Sequence, residues 1–572
     1  MKQWRENAAA MALLAVAFAL LAAWSLVVPV FEAPDEPDHW QYARHLHDTW
    51  RLPIYSPEFL EGNSPPLYYG LVAPLATSGA LPLRINWNVP IGHEDHVSGL
   101  RYHVSQRGDL GRYWNVRAAR LLTCLMSLAT LVFCWLAGRE ATGRRETGLL
   151  AAGLAAFLPQ FAFRGMNVSN DALVAAGGAA ATYVLVRLMR CGSTPRLCVA
   201  AAAATALAYL SKISAVFLPV PLAAAILWQP RPWSERLRHL SLFLGLVVLA
   251  VTPWSLRNLM LYGDPFASQA MLTVVPFLVD RKPLLSPYFQ HAFPIRLAKS
   301  FVGTFGWMNL PLPSWIYTVF LLLGLAAGLG LVRRWTRRSL QGRLVVLLVL
   351  LSALALAVVV HINRTFSQPQ GRYLFPALGA IALLVALGLE GLPGWSVAVA
   401  KATVTALAAL NVFVLAAVVW PAYWGMPARE FGTPGTDLRI SRMVGFDRLD
   451  GGRLVTHRPY ARVVARTDLD TRDYNVLYVD LSGQCTAVPR AKGAVYFAVD
   501  GLPLGEETRT KFLWFPNGTP QRVPVALFTT ARWRGRVTAL RVDPFADLTQ
   551  AKACRGTTIE VMRLRLSGRI EP

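Results

Sequence analysis

Charge is what this sequence has least of. Only 16% of its 572 residues are Asp, Glu, Lys or Arg, against about 25% in an ordinary soluble domain. Hydrophobic residues make up 54% and the mean hydropathy is +0.37, which excludes a water-soluble enzyme. Acids are the scarcer half, 33 against 57 basic residues. The resulting charge of +24 does not point to nucleic acid, because the arginines fall in short clusters between apolar runs, as in cytoplasmic loops of membrane proteins. Metal-type cysteine spacing is absent from the six cysteines, and GxGxxG, P-loop, heptad and internal-repeat patterns are absent as well. With no small-residue cleavage site before Phe31, the run Ala8 to Val30 reads as an uncleaved first membrane helix with its N-terminus inside.

What is present is a succession of apolar runs that predicts a polytopic α-helical membrane protein. The expected spans are 8–30, 116–136, 149–163, 172–188, 197–210, 213–228, 240–256, 315–331, 344–362, 374–392 and 397–420, about eleven in all. The basic loops 138–145, 187–196, 231–238 and 333–343 mark the inside. Two long outer segments follow, 32–114 and 257–313. The first holds an expected amphipathic helix from Asp38 to Trp50 and an interfacial stretch from Leu67 to Leu83. From 425 the pattern changes to short alternating runs, among them Val476 to Leu481, Ala494 to Val499 and Thr558 to Leu566, which predict an extracytoplasmic β-sandwich over 425–572 behind a membrane domain of 1–424. In that position Cys485 and Cys554 form the plausible disulfide pair. The sequon Asn517-Gly-Thr519 matters only in a glycosylating secretory pathway.

This topology collects Asp35, Glu36, His39, Asp171, Lys212, Arg257, Arg372 and Tyr373 on one face. An ionised acid at a helix mouth can take a proton from a hydroxyl, and further carboxylates can hold a divalent cation through oxygen. Arg and Lys can hold a phosphate. Each residue also has a plainer explanation: Asp35, Glu36 and Asp171 as helix-start acids, Lys212 as a snorkelling side chain, Arg257 and Arg372 as lipid-headgroup contacts, and His39 as part of an aromatic cluster. His93-Glu-Asp-His96, with His103, reads as a polar loop, since its spacing is not that of a zinc helix.

Several short motifs carry a resemblance. They are Asp35-Glu36 after the first helix with His39 beyond, Ser64-Pro-Pro-Leu-Tyr-Tyr69, Asn170-Asp-Ala-Leu173, Leu210-Ser-Lys212, Pro253-Trp-Ser-Leu-Arg-Asn258 with Tyr262-Gly-Asp264, and Gln370-Gly-Arg-Tyr-Leu-Phe-Pro376. In this order the chain resembles the GT-C glycosyltransferase superfamily, multispanning enzymes that use polyprenyl-phosphate sugars. Pro34-Asp-Glu-Pro37 and the Gln-Gly-Arg-Tyr element look most like a family of uncharacterised bacterial membrane proteins in that group. The resemblance implies an inverting transfer with Asp35 as general base. Glu36 and Asp171 would position the acceptor or a cation (Mg, Mn or Ca), Lys212, Arg257, Arg372 and Tyr373 would hold the donor phosphate, and His39, Tyr68 and Tyr69 would bind acceptor or sugar. Ser64 departs from the pattern, since relatives often carry His before the Pro-Pro pair. The tail segments Ala539 to Pro544 and Ile559 to Leu566 are similar to late strands of carbohydrate-binding jelly rolls.

The resulting expectation is a transferase of the bacterial inner membrane, with its C-terminal domain outside. It would move sugar from a polyprenyl-phosphate donor to an envelope glycan, lipid or protein, with membrane lipids and no nucleic acid as partners. A lipid-linked saccharide transporter or flippase, or a glycan-binding assembly protein, is the competing reading, but repeated halves and midplane polar residues are not evident and an anchor needs far fewer spans.

Overall fold

The computed structural model describes residues 2–77, 113–424 and 436–568, apart from a few short stretches within them. His93 to His96 and His103 lie outside the described residues, as does Asn517 of the Asn-Gly-Thr sequon. The chain divides into two compact units, one of residues 1–81, 111–304 and 311–418, the other of 82–110, 305–310 and 419–572.

The first unit is helical: α1 (Lys2–Val27), α2 (Glu36–Thr49), α3 (Leu67–Val72), α4 (Trp114–Thr142), α5 (Arg145–Ala156), α6 (Pro159–Gly165), α7 (Asp171–Cys191), α8 (Pro195–Ser211), α9 (Pro219–Leu227), α10 (Trp233–Tyr262), α11 (Ser314–Trp335), α12 (Leu340–Asn363), α13 (Leu378–Leu389) and α14 (Val397–Val414), joined by shorter turns. Among the described residues eight helical segments are long and apolar enough to cross a membrane, or up to nine if the bent pair α5–α6 is one span. The chain is a multi-pass membrane protein, yet the expected count of about eleven is not reached, because three of the expected runs are broken or short. α5 and α6 meet at 70°, since Pro159 opens α6 and forces Leu158 into an extended conformation (φ −68°, ψ 116°). The run from α8 to α9 is divided where Lys212 is extended (φ −156°, ψ 127°) before a 3₁₀ turn. α8 and the Ile213–Leu227 segment are then too short to count.

These breaks are what bring the charged residues together. α7 is buried along nearly its whole length, and two adjacent glycines let its neighbours approach. A Cβ at Gly177 would press on the Ala208 backbone of α8, and one at Gly178 would run into the Pro376 carbonyl. Pro376 belongs to the 3₁₀ segment Gly371–Ala377 that precedes α13. Close helix approach through small residues is the usual means of packing in membranes. Here it places Arg372 beside the start of α7.

The second unit contains two antiparallel sheets. Their main strands are β1 (Ile440–Val444), β2 (Arg462–Asp470), β3 (Tyr474–Gly483), β4 (Ala491–Val499), β5 (Arg509–Trp514), β6 (Gln521–Ala526), β7 (Arg536–Asp543) and β8 (Ile559–Gly568). One sheet runs β5-β4-β7-β2-β1; the other runs β6-β3-β8 and continues through Leu454–Thr456 and Asp447–Arg448. Alternate residues of both, among them Val463, Leu477, Val479, Phe497, Leu540 and Leu566, share one apolar core, as in a β-sandwich. Cys485 and Cys554 are joined, their Cα atoms 5.6 Å apart across 69 residues of sequence.

Closing a loop of that length removes about 4 kcal/mol of unfolded-chain entropy. Cys485→Ser and Cys554→Ser should therefore make the tail of the full-length protein comparably more susceptible to limited proteolysis. A large effect from one and none from the other would separate the two cysteines.

Candidate active site at the helix mouths

The site begins with a structural clamp. The last carbonyls of a helix have no partner within it, and those at the end of α1 are met by Arg120 of α4. Arg120 Nη1 donates to the Ser25 and Val28 carbonyls at 3.0 and 2.7 Å, and Nη2 to that of Pro29 at 2.9 Å. Its Nε and Nη2 also grip the two oxygens of Glu36 at 2.7 and 2.6 Å. Glu36 accepts in turn from the backbone N–H of Phe31 at 2.8 Å and Val168 at 3.0 Å. Both side chains are fully buried. The lone pairs of Glu36 are thus engaged in fixing loop 28–36 against loop 166–171, and the expected catalytic or cation-holding role of Glu36 gives way to positioning.

Fixing Glu36 fixes Asp35. The Asp35 backbone is left-handed (φ 65°, ψ −1°) at the start of α2, a conformation that Asp and Asn tolerate better than other side chains. One carboxylate oxygen accepts from Arg372 Nη2. Arg164 of α6 donates to the Pro34 carbonyl at 3.0 Å and, through Nε and Nη2, to Asp171 at 3.0 and 2.7 Å. Lys212 reaches the other oxygen of Asp171 at 2.5 Å, and Arg372 Nη1 lies 3.4 Å from Asp171. Arg372 therefore bridges Asp35 and Asp171. Lys212 and Arg372 each lie 5.3 Å from the ring centre of Tyr373, whose hydroxyl donates to Gln368 at 2.6 Å.

Exposure separates the roles. Asp35 retains 29% of its side-chain surface and Lys212 19%, whereas Asp171 retains 1%. Asp35 is thus the more accessible of the two carboxylates. Burial pushes its carboxyl up, but Arg372, with Arg164 and His39, more than offsets this and holds it at about 2. Two buried polar atoms at this place have no hydrogen-bond partner: Nε of Arg372 and Oδ1 of Asn170. Buried polar atoms without a partner are uncommon in packed interiors.

The remaining expected residues divide. His39 Nδ1 lies 2.8 Å from the Tyr69 hydroxyl, which donates to Glu61 at 3.2 Å. Burial lowers the His39 pKa below its ordinary value. Tyr69 stacks on Tyr42 with ring centres 3.7 Å apart. The Tyr68 hydroxyl accepts from the Ser169 N–H at 2.7 Å and lies 3.0 Å from Thr123. Both Tyr68 and Tyr69 are fully buried, so they brace the loop before α7 rather than offering a face for sugar. Arg257 donates to the Pro53 carbonyl at 2.7 Å and lies over Trp254, which engages its guanidinium with the loop after α2.

A shared divalent cation does not fit. The oxygens of Glu36 are taken by Arg120 and backbone N–H groups, and those of Asp171 by Arg164, Lys212 and Arg372. Among the described residues no group of three or more His, Cys, Asp or Glu is arranged to hold a metal.

Removing one partner of a buried ion pair leaves the other charge unpaired, at a cost of about 3–5 kcal/mol. Arg120→Ala should lower the melting temperature of the purified protein sharply, and Asp35→Asn, which keeps a side chain suited to left-handed backbone, markedly less. The low Asp35 pKa also fixes a sign. Its ion-pair contribution is complete above the ordinary carboxylate range and fades as pH falls from about 4 towards 2. The difference in melting temperature between wild type and Asp35→Asn should be flat from about pH 8 to 5.

Residues 112–254, a quarter of the chain, match the family described as dolichyl-phosphate-mannose-protein mannosyltransferase. The matched segment includes Arg120, Arg164, Asp171 and Lys212. No curated protein matches the chain. Among solved structures it is similar to ArnT from Cupriavidus metallidurans bound to undecaprenyl phosphate, at 16% identity and TM-score 0.41 over 73% of this chain and 74% of that one. It is also similar to the oligosaccharyltransferase AglB of Archaeoglobus fulgidus in complex with an inhibitory peptide and a dolichol-phosphate, at 14% and 0.38 over 74% and 56%. A complex of the Archaeoglobus fulgidus oligosaccharyltransferase with Zn and sulfate gives 14% and 0.40 over 72% and 52%. These overall likenesses are too low to carry an assignment, and the family match extends over residues 112–254 alone.

Proposed function

We propose that this chain moves a sugar from a polyprenyl-phosphate carrier to an envelope glycan, lipid or protein at the outer face of the bacterial inner membrane, with its N-terminus inside and its C-terminal domain outside. The observation that carries the reading is Arg372, a fork shared by two carboxylates and left with a buried Nε that has no partner. A phosphate oxygen would complete it. The family matched by residues 112–254 is described by a donor of this chemical class, dolichyl-phosphate-mannose.

In the proposed reaction the acceptor hydroxyl gives its proton to Asp35 while its oxygen forms a bond to the anomeric carbon. The bond from that carbon to phosphate breaks, and its electron pair leaves on the polyprenyl phosphate with inversion. An acid held at about 2 is a weak base. Arg372 resolves this difficulty, because a donor phosphate that draws its guanidinium away from Asp35 raises the basicity of Asp35 when substrate is present. Lys212 and Arg372, both near the Tyr373 ring, stabilise charge on the departing phosphate. Asn170 Oδ1 would accept from a substrate hydroxyl. Arg257, held on the Pro53 carbonyl and over Trp254, is left out of this donor-phosphate set. The Mg, Mn or Ca role is taken by these fixed cations.

Asp35→Asn should reduce turnover by roughly 10²–10⁴-fold while donor binding persists; turnover at the wild-type rate would remove the base assignment. Arg372→Ala and Lys212→Ala should weaken donor binding more than acceptor binding, and Arg372→Lys should fail to restore it, since Lys lacks the planar fork. Transfer from a panel of polyprenyl-phosphate sugars should survive a chelator, and its abolition with recovery on adding Mg, Mn or Ca would reinstate the metal.

A further inference from the structure

The segment between α10 and α11 carries a basic surface, studded with apolar side chains, that the transfer reaction does not use. Its short helix Phe293–Val302 turns Phe293 and Leu297 inward onto Val359 of α12. The opposite face, with Ile295 and Arg296, is exposed. Contacts with the ends of two membrane helices fix the height of this segment. Lys299 lies 5.8 Å from the ring centre of Tyr317, in the first turn of α11, and the Tyr288 hydroxyl donates to Asn363, the last residue of α12, at 2.7 Å. The surface therefore sits where hydrocarbon gives way to headgroups.

At that height it exposes both kinds of group that a charged bilayer surface takes. Leu284, Leu285 and Ile295 are 51%, 85% and 57% exposed. Arg281, Arg296 and Arg364 are exposed as well, and among the described residues none of them is paired with an acid. Arg364 is tied to the segment through its carbonyl, which accepts from the Lys282 N–H at 2.9 Å. After Asp280 the next acid in the sequence is Glu390, so the local field is positive. On the side that the proposed reaction makes the outer one, the usual inside bias does not account for such cations.

We propose that residues 281–299, with Arg364, form a docking surface for anionic phospholipid headgroups, and that this contact steadies the segment carrying Arg372. The exposed Leu and Ile side chains enter among the acyl chains while the guanidiniums meet the negative headgroups. A soluble anion would use the cations but not the apolar side chains beside them. The contact reaches the candidate site directly. Ser300 Oγ accepts from the Gly371 N–H at 2.8 Å and donates to the Pro369 carbonyl at 3.0 Å. A Cβ on Gly371 would overlap the Phe301 backbone, and Arg372 is the next residue. Tyr373 packs against the cluster of Phe293, Leu297 and Val359. The effect on Arg372 rests on its proposed role as phosphate clamp, whereas the lipid contact does not.

The test uses the full-length protein in nanodiscs of phosphatidylcholine with a minor share of phosphatidylglycerol whose headgroup is photoreactive, and maps the cross-linked peptides by mass spectrometry. Labelling of 281–299 should fall as salt is added and should be competed by plain phosphatidylglycerol. Arg281→Gln/Arg296→Gln should lower it by at least about fivefold, the loss expected from one cation near a charged bilayer. Labelling of the basic segment 231–238, at the other end of α10, should stay as in wild type. If the double variant fails to melt as wild type does, Arg296→Gln alone provides the reading, with a smaller loss. Wild type should also bind polyprenyl phosphate more tightly when phosphatidylglycerol is present, and the double variant should lose that gain. Equal labelling by photoreactive phosphatidylcholine, unchanged labelling in a folded variant, or competition by polyprenyl phosphate but not by phosphatidylglycerol would overturn the lipid surface. No gain in polyprenyl phosphate binding would overturn its link to Arg372. Either failure leaves the role of Asp35 in transfer to its own test.

Discussion

The buried contact between Arg120 and Glu36 is the constraint on which the rest of the site depends. One guanidinium meets the carbonyl end of α1 and both oxygens of an acid at the start of α2, while that acid also accepts from the loop before α7. Three chain segments are thereby held at one height, and Asp35 is adjacent to the acid so held. Two charges buried this deeply are costly unless every donor and acceptor is met. Here they are met largely by backbone, which makes the clamp a measure of backbone position rather than a source of chemistry.

Beside this rigid part lies one that is electrically poised. Asp171 is surrounded by Arg164, Lys212 and Arg372 and scarcely reaches solvent. Asp35 is more open and shares Arg372 with it. An exposed acid whose counterion is shared with a buried one has a partner that can be drawn elsewhere without leaving the site unpaired. The same set of residues can then rest as ion pairs and act as a base with a phosphate clamp.

Much of this is legible in the sequence, for identifiable reasons. Period and length reveal spanning helices, and basic clusters orient them, so Asp35, Asp171, Lys212 and Arg372 can be assigned to one side before any distance is known. The breaks are harder to read. Pro159 sits within an apolar run whose average hydropathy conceals a bend of 70°. Arg120 does not stand out, because it lies among apolar residues near the start of α4, although an arginine inside a membrane helix is itself a signal of a buried partner. Arg164 falls in an expected outer turn, and nothing in the local sequence pairs it with Asp171. Glu61 has only its neighbours in a polar loop to recommend it, since its contact with Tyr69 is set by the fold. Tyr68 and Tyr69 read as sugar contacts because exposed aromatics serve that purpose, and only burial shows what theirs is.

The arrangement around Arg372 has a consequence in net charge. Asp35 and Asp171 face Arg164, Lys212 and Arg372, leaving the cluster one positive unit in excess. A sugar joined to a lipid through a single phosphate is a diester with one negative charge, so the proposed donor would bring the cluster to neutrality. Once the sugar departs, the lipid keeps a monoester that can carry a second negative charge, and if Asp35 then releases its new proton to solvent the balance becomes negative. The site itself, again positive by one unit, would hold the dianionic carrier at least as firmly as the donor, so in the proposed cycle the charges oppose release of the spent carrier rather than capture of the donor.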